Sequence, residues 1–270
     1  MPNVLLTGAS SGIGLATARL LVRSGYKVVG TCRHPESVPS IPGLRLVAMD
    51  QSDPLSVEKG FAEAKDILGG SIDVLINNAG LGELGAVEDT TLEEARRMFE
   101  VNYFSAVRLT QLCLPGMRER NSGAILQLGS IVFSLQFPFK AQYCASKAAL
   151  SAFSLSLRHE VYPYGIRVHL FEPGWVRSEF HNRLKPALRP GSVYSDRLKP
   201  FLDFSRDTDP GVPDGEAVAR IIVKTLENLQ APVRIPVGAE ARKFFRVNRF
   251  LSHQMLDRIL RWKLSRKTVS

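Results

Sequence analysis

The chain has 270 residues, 44% of them hydrophobic and 23% charged, which suits one globular domain of α/β size or two small ones. The net charge is +9, but residues 241–270 carry nine Lys/Arg against one acid, Asp257; the excess belongs to a tail and argues against a nucleic-acid-binding body. No apolar run approaches the ~18–20 residues of a membrane span, the first residues lack a signal peptide's basic and apolar regions, and Cys32, Cys113 and Cys144 are unpatterned, pointing to a reducing cytosol with no disulfide and no metal site.

Residues 3–7 read as a short apolar strand running into Thr7-Gly8-Ala9-Ser10-Ser11-Gly12-Ile13-Gly14. A helical pattern follows (Leu15, Ala18, Leu21, Val22) and stops at Ser24-Gly25. Strand, glycine-rich turn and helix cradle phosphates: glycines let backbone approach a pyrophosphate, and free N–H groups at the helix start attract the anion. Gly8, Gly12 and Gly14 form this turn, with Ser10, Ser11 and Ile13 as its other candidate contacts. The spacing, Gly-x-x-x-Gly-x-Gly, differs from the usual Gly-x-Gly-x-x-Gly.

Residues 27–31 are the next β-rich run. An acid at this strand's end would bind the ribose 2′-hydroxyl of NAD; Thr31-Cys32-Arg33-His34 has none, and Arg33 is placed for a 2′-phosphate. The expected cofactor is NADP(H), with Ser11 as a second donor; otherwise Arg33 is a solvated loop residue. Residues 44–50 read as a third strand closed by Asp50, placed to touch an adenine amino group. Residues 54–68 are helical. A fourth strand, 72–76, ends in Asn77-Asn78-Ala79-Gly80, which either ties strand ends together and faces a ribose or is a simple turn.

A long helical pattern covers residues 92–117 with Asn102 inside it; Asn is a poor mid-helix residue, so it either caps a distorted turn or has another task. Residues 124–128 form a fifth strand ending at Gly129-Ser130, which puts Ser130 at a strand's carboxyl end, where open α/β sheets bind ligands. A sixth, 166–171, ends in Glu172-Pro173-Gly174. Strands alternating with helices predict an α/β fold: a single-domain, Rossmann-like, doubly wound parallel sheet with helices on both faces.

Residues 141–162 read as helix, which puts Tyr143 and Lys147 on one face. A cation about 5 Å from a phenol, at an effective dielectric of roughly 20, favours phenolate by about 3 kcal/mol. Tyr143 would then titrate near ~8 instead of ~10, within reach of proton transfer at neutral pH. Tyr and Lys four apart also occur on ordinary solvated helix faces, so the pair depends on its surroundings.

Thr7-Gly-x-x-x-Gly-Ile-Gly14, Asn77-Asn-Ala-Gly80, Asn102, Ser130, Tyr143-x-x-x-Lys147 and Pro173-Gly174, in this order and spacing, resemble the short-chain dehydrogenase/reductase family over roughly residues 1–240. The look of Glu172-Pro-Gly-Trp-Val and the extended C-terminus is similar to its hydroxysteroid and retinol dehydrogenase subgroup. The resemblance implies that Tyr143 is the general acid/base, that Ser130 holds the substrate oxygen, and that Lys147 binds the nicotinamide ribose and lowers the Tyr143 pKa. It implies further that Asn102 holds a water linking Lys147 to solvent. Asn78, Ala79, Gly80, Pro173, Gly174, Val176 and Ser178 join the cofactor contacts, Ser178 standing where many relatives have Thr. Reduction is the expected direction with NADP(H), and subunits are expected to pair through the helices carrying Asn102 and Tyr143, as a dimer or tetramer.

Substrate specificity is expected in loops. Residues 177–213, rich in Pro and aromatics and including Phe180 and His181, resemble a substrate lid. Residues 131–139 are strongly apolar; Val132 and Phe137 are candidate substrate contacts, unless this stretch packs in the core or at a dimer face. An apolar alcohol or ketone, steroid-like or retinoid-like, is the expected substrate. A broad carbonyl reductase for small ketones and aldehydes, or a non-catalytic NADP-binding regulator, are the alternatives. Residues 241–264 read as a basic amphipathic extension that either lies on an anionic membrane surface or packs on the body or a partner subunit. The expected location is the cytoplasm, with peripheral membrane contact the added possibility.

Overall fold

The computed structural model describes residues 1–177, 185–199, 212–248 and 254–258. Its strands in chain order are β1 (Asn3–Thr7), β2 (Lys27–Cys32), β3 (Leu44–Ala48), β4 (Val74–Asn77), β5 (Glu83–Gly85), β6 (Gly123–Leu128), β7 (Ile166–Pro173), β8 (Lys185–Ala187) and β9 (Arg234–Val237). Its helices are α1 (Gly12–Arg23), α2 (Pro54–Ile67), α3 (Leu92–Phe99), α4 (Ser105–Glu119), α5 (Ala141–Val161), α6 (Gly215–Glu227) and α7 (Ala239–Asn248).

Seven strands form one parallel sheet in the order β3-β2-β1-β4-β6-β7-β9, and β5 and β8 pair as a separate parallel ribbon. The sheet is doubly wound. The chain builds outward from β1 to β3, then returns to lay β4 against the other side of β1. That reversal opens a crevice beyond the carboxyl ends of β1 and β4, the place where such sheets bind ligands.

Alternation along the strands divides the core in two. Val4, Leu6, Ile76, Leu126 and Phe171 pack with Ala18 and Leu21 of α1 and Val218 and Ile222 of α6. Leu5, Val29, Leu75, Ile125 and Val168 pack with α2, α4 and α5 through Val57, Phe61, Leu109, Met117 and Leu157. Burial on both faces is why the strands read as nearly continuous apolar runs. Helix starts follow local chemistry. Asp53 caps α2 and Asp214 caps α6 through their carboxylates, and Thr91 with Glu94 makes a reciprocal capping box on α3.

The helix expected over 92–117 is interrupted. Residues Glu100–Phe104 form a π turn in which the Ser105 N–H bonds the Glu100 carbonyl. Such insertions mark functional positions more often than chance, and Asn102 lies inside this one. Strand β9, helix α6 and the β5–β8 ribbon are additions to the sequence reading. The strands are short, and each finds its partner far along the chain. No helix among the described residues is long and apolar enough to cross a membrane.

Candidate active site

The turn after β1 is built so that backbone fills the space side chains would take. Gly8 and Gly12 adopt positive φ of 70° and 55°, which L side chains resist. A Cβ on Gly14 would stand 2.0 Å from the Gly8 carbonyl oxygen. Asn78 locks the turn to β4: its Nδ2 donates to the carbonyls of Thr7 (2.9 Å) and Gly8 (3.2 Å). The backbone N–H groups of Asn78 and Ala79 both donate to Thr7 Oγ1 at 3.0 Å. The strand-tying alternative for Asn77-Asn78 is therefore the observed one. Asn77 itself turns inward, with Nδ2 3.4 Å from the Ala106 carbonyl. Ser11 begins α1 with extended backbone, and Gly215, at the start of α6, abuts Gly12 so closely that a Cβ there would lie 3.0 Å from its carbonyl oxygen.

Arg33 is exposed just beyond β2, close enough to Asp50 for its charge to act on that carboxyl. Burial disfavours ionisation of Asp50, but hydrogen bonds from the Ser52 N–H (2.9 Å) and hydroxyl (2.7 Å), with the charges of Arg33 and Arg97, outweigh it and hold the carboxyl below its ordinary value. Exposed guanidinium groups and a firmly ionised carboxylate thus lie together beyond β2 and β3.

On the other side of the crevice Ser130, Tyr143, Lys147 and Asn102 come together. Ser130 follows β6. Its Oγ accepts the Val132 N–H at 3.4 Å, lies 3.5 Å from the Pro173 carbonyl, and shares a hydrogen bond with the Tyr143 phenol. Lys147 is 4% exposed; its Nζ donates to the Leu128 carbonyl at 2.8 Å and stands 6.0 Å from the centre of the Tyr143 ring. Gly80 is the meeting point: a Cβ there would lie 3.5 Å from Asn102 Oδ1 and 3.6 Å from Lys147 Nζ.

The electrostatics correct one expectation. Burial pushes the Tyr143 phenol up to about 12, opposed by the Ser130 hydrogen bond, instead of down to near ~8. Burial also pulls Lys147 down to about 8. The ammonium is held by the Leu128 carbonyl at the end of β6, and desolvation dominates the shift of the phenol. The Asn102 side chain has protein partners on both sides. Its Oδ1 accepts the Leu81 N–H (2.7 Å), and its Nδ2 donates to the Leu81 carbonyl (2.9 Å) and Ser146 Oγ (3.0 Å). The side chain is spent on pinning the segment after Gly80 to α5.

Val132 is buried and Phe137 partly so. Val176 is buried, and the Gly174 N–H donates to the Val237 carbonyl at 3.1 Å. Ser178, Phe180 and His181 lie outside the described residues, as do 200–211 of the proposed lid and most of 249–264. The described part of 177–213 is held by side chains that sequence reading passed over. Ser192 Oγ donates to Asp89 (2.5 Å), Tyr194 donates to Glu88 (2.9 Å), and β8 pairs with β5. Also missed was Glu172. Fully buried, it accepts a forked bond from Arg234, whose guanidinium carbon lies 5.0 Å from the Phe133 ring centre and 4.7 Å from that of Phe245. A Glu in an otherwise apolar strand end was the available signal.

The family model for short chain dehydrogenase matches residues 2–189. Bovine (Bos taurus) retinol dehydrogenase 8 is 34% identical over 250 residues, covering 86% of this chain and 80% of that protein. A short-chain dehydrogenase from Streptomyces avermitilis superposes with a TM-score of 0.82 at 32% identity, covering 98% of this chain and 96% of its own. A second, from Burkholderia cenocepacia J2315 in complex with NADP, gives 0.77 at 25% identity, covering 96% and 97%; other solved relatives are complexed with NADH. The chain belongs to the short-chain dehydrogenase/reductase family of nicotinamide-dependent oxidoreductases, and is similar to its retinol dehydrogenases.

Proposed function

We propose that this protein is an NADP(H)-dependent oxidoreductase that interconverts a hydrophobic alcohol and its ketone or aldehyde, with Tyr143 as general acid/base. The observation that carries the reading is the Ser130–Tyr143 hydrogen bond beside the buried Lys147, at the carboxyl end of β6. The turn at Gly8, Gly12 and Gly14 suits a pyrophosphate: positive φ at Gly8 and Gly12 and the tight contact of Gly14 with the Gly8 carbonyl hold it as bare backbone at a helix start. Arg33, with no acid at the end of β2, favours the 2′-phosphate of NADP, and Asp50 would meet the adenine. Asn78, Ala79, Gly80, Pro173, Gly174, Val176 and Ser178 are the remaining cofactor contacts on this reading. The nicotinamide, when bound, supplies or takes up hydride.

The residues of this chain handle the proton and the charge. Ser130 donates to the substrate oxygen and stabilises the negative charge that grows there. Tyr143, held as the neutral phenol, delivers its proton to that oxygen during reduction. A phenol pushed to about 12 is protonated at neutral pH and so is ready to donate in the reductive direction. Lys147 offers its ammonium to the ribose and keeps a positive charge near the phenol as the proton leaves. Asn102 holds the segment around Gly80 in place, and a water beside it would link Lys147 to solvent.

The apolar substrate is supported by residues 131–139 and by the likeness to retinol dehydrogenase 8. On this reading residues 1–240 form the catalytic body, 177–213 cover the substrate, and 241–270 extend it, against the body, a partner subunit or a membrane surface. Two substitutions test the proposal. Tyr143→Phe abolishes turnover of retinoid, steroid or simple ketone substrates while NADPH binding persists; unchanged turnover would remove Tyr143 from the mechanism. Arg33→Glu is expected to reduce the NADPH/NADH preference by about tenfold or more, and an unchanged preference would place the 2′-phosphate elsewhere.

A further inference from the structure

Lys140 stands where the fold has no structural use for a cation. It precedes α5 as its N-cap and makes no side-chain capping bond. Ser, Thr, Asp or Asn serve that position, and the positive end of a helix repels an ammonium. The side chain is only partly exposed, with Nζ 5.2 Å over the ring of Trp175. Burial pulls its pKa down, and the opposing group is the thiol of Cys144, which burial itself keeps protonated. Among the described residues no carboxylate lies within ion-pair distance of it.

Its surroundings are those of the substrate side. Lys140 ends the apolar stretch between Ser130 and Tyr143. Trp175 follows Pro173-Gly174, and Ser130 Oγ lies 3.5 Å from the Pro173 carbonyl. Phe139, its neighbour, is fixed by a bond from the Gly85 N–H to its carbonyl (2.8 Å). A position that violates the capping, dipole and burial preferences together is expected only where function requires it. An apolar stretch ending in an ammonium that rests on an indole and has no carboxylate partner among the described residues matches an amphiphile that is apolar along its length and acidic at one end.

We propose that Lys140, backed by Trp175, binds an anionic group, carboxylate or phosphate, carried by an otherwise apolar carbonyl substrate. This rests on the oxidoreductase reading above, and the test separates the two. Binding of decanoate, decyl phosphate and decanol to the full chain saturated with NADP is measured by calorimetry, for the parent protein, Lys140→Met, Lys140→Gln and Lys140→Arg. The parent is expected to prefer one of the anions over decanol by about tenfold or more. Whichever anion shows the preference identifies the headgroup. The preference falls to about onefold in Lys140→Met and Lys140→Gln and survives in Lys140→Arg. A preference that persists in both neutral variants, or is missing in the parent, overturns the proposal. So does a loss confined to NADPH affinity, which would give Lys140 to the cofactor. Reduction of 9-oxodecanoate and 2-decanone is followed separately by NADPH absorbance. Lys140-dependent binding without any reduction would sink the oxidoreductase reading and leave the anion site standing.

Discussion

Lys147 shows what burying a charge does to one residue. Its value in the folded chain, about 8, lies below the 10.5 of an exposed lysine, so between those values the unfolded chain holds this proton more tightly. The penalty is complete below about pH 8 and fades as pH rises toward 10.5. Lys147→Met, which also loses the bond to the Leu128 carbonyl, is expected to be more stable than the parent at pH 7 by about 2 kcal/mol. Urea unfolding at pH 7 and pH 10 checks this: the gap should narrow at the higher pH, and a less stable variant at pH 7 would refute it. On the proposed mechanism the same group also governs activity. Reduction should be level in kcat/KM below about pH 8 and fall above it as the ammonium is lost; a profile rising through that range would exclude the role. That Tyr143 and Lys147 share one helix face was legible from spacing, because one helix encodes both positions; that the face is buried beside Ser130 was not. Nor was the direction of the phenol's shift, because it depends on tertiary burial, which no local pattern reports.

At the scale of elements, the π turn and the glycine turn act as clamps between segments distant in sequence. Asn102 joins α4's leading turn to Leu81 and Ser146, across 21 and 44 residues. Asn102→Leu removes these bonds and leaves the Leu81 N–H and carbonyl without partners, a loss of about 2–4 kcal/mol expected in urea unfolding; an unchanged midpoint would mean the Leu81 groups find other partners. Gly14→Ala places a methyl 2.0 Å from the Gly8 carbonyl. It is expected to weaken NADPH binding at least about tenfold by forcing the turn open, readable by fluorescence titration, and unaltered affinity would show the turn can yield. The glycines announced this turn in the sequence. The task of Asn102 was visible only as an anomaly, a poor helix former inside a helix, since its partners are set by tertiary packing. Glu172 with Arg234, 62 residues apart, and the clasp of Ser192 and Tyr194 on Asp89 and Glu88 are legible only once the sheet order brings them together.

For the whole molecule, the doubly wound sheet was legible because strands and helices alternate with clear periodicity through β7. The final strand escaped because Arg234-Ile-Pro-Val237 is too short to show any. Pairing of subunits through α4 and α5, expected from the family, has a physical candidate in Phe104. It is 50% exposed and packs edge-on to Tyr103, which in turn contacts Phe153 of α5. Phe104→Asp is expected to shift the protein toward the monomer in light scattering; an assembly of unchanged mass would move the interface elsewhere.

Strand β9 lies at the sheet's edge and receives β7 in register, Pro173 opposite Val237. The Val237 carbonyl also holds the Gly174 N–H. A growing polypeptide therefore carries Ser130, Tyr143 and Lys147 for 87 residues of synthesis, from 147 to 234, several seconds on a ribosome, before the piece that steadies Pro173-Gly174 has been made. The cleft is built from its middle and completed from its end, so premature termination between residues 148 and 233 would yield a product that carries Ser130, Tyr143 and Lys147 beside an unfinished cleft.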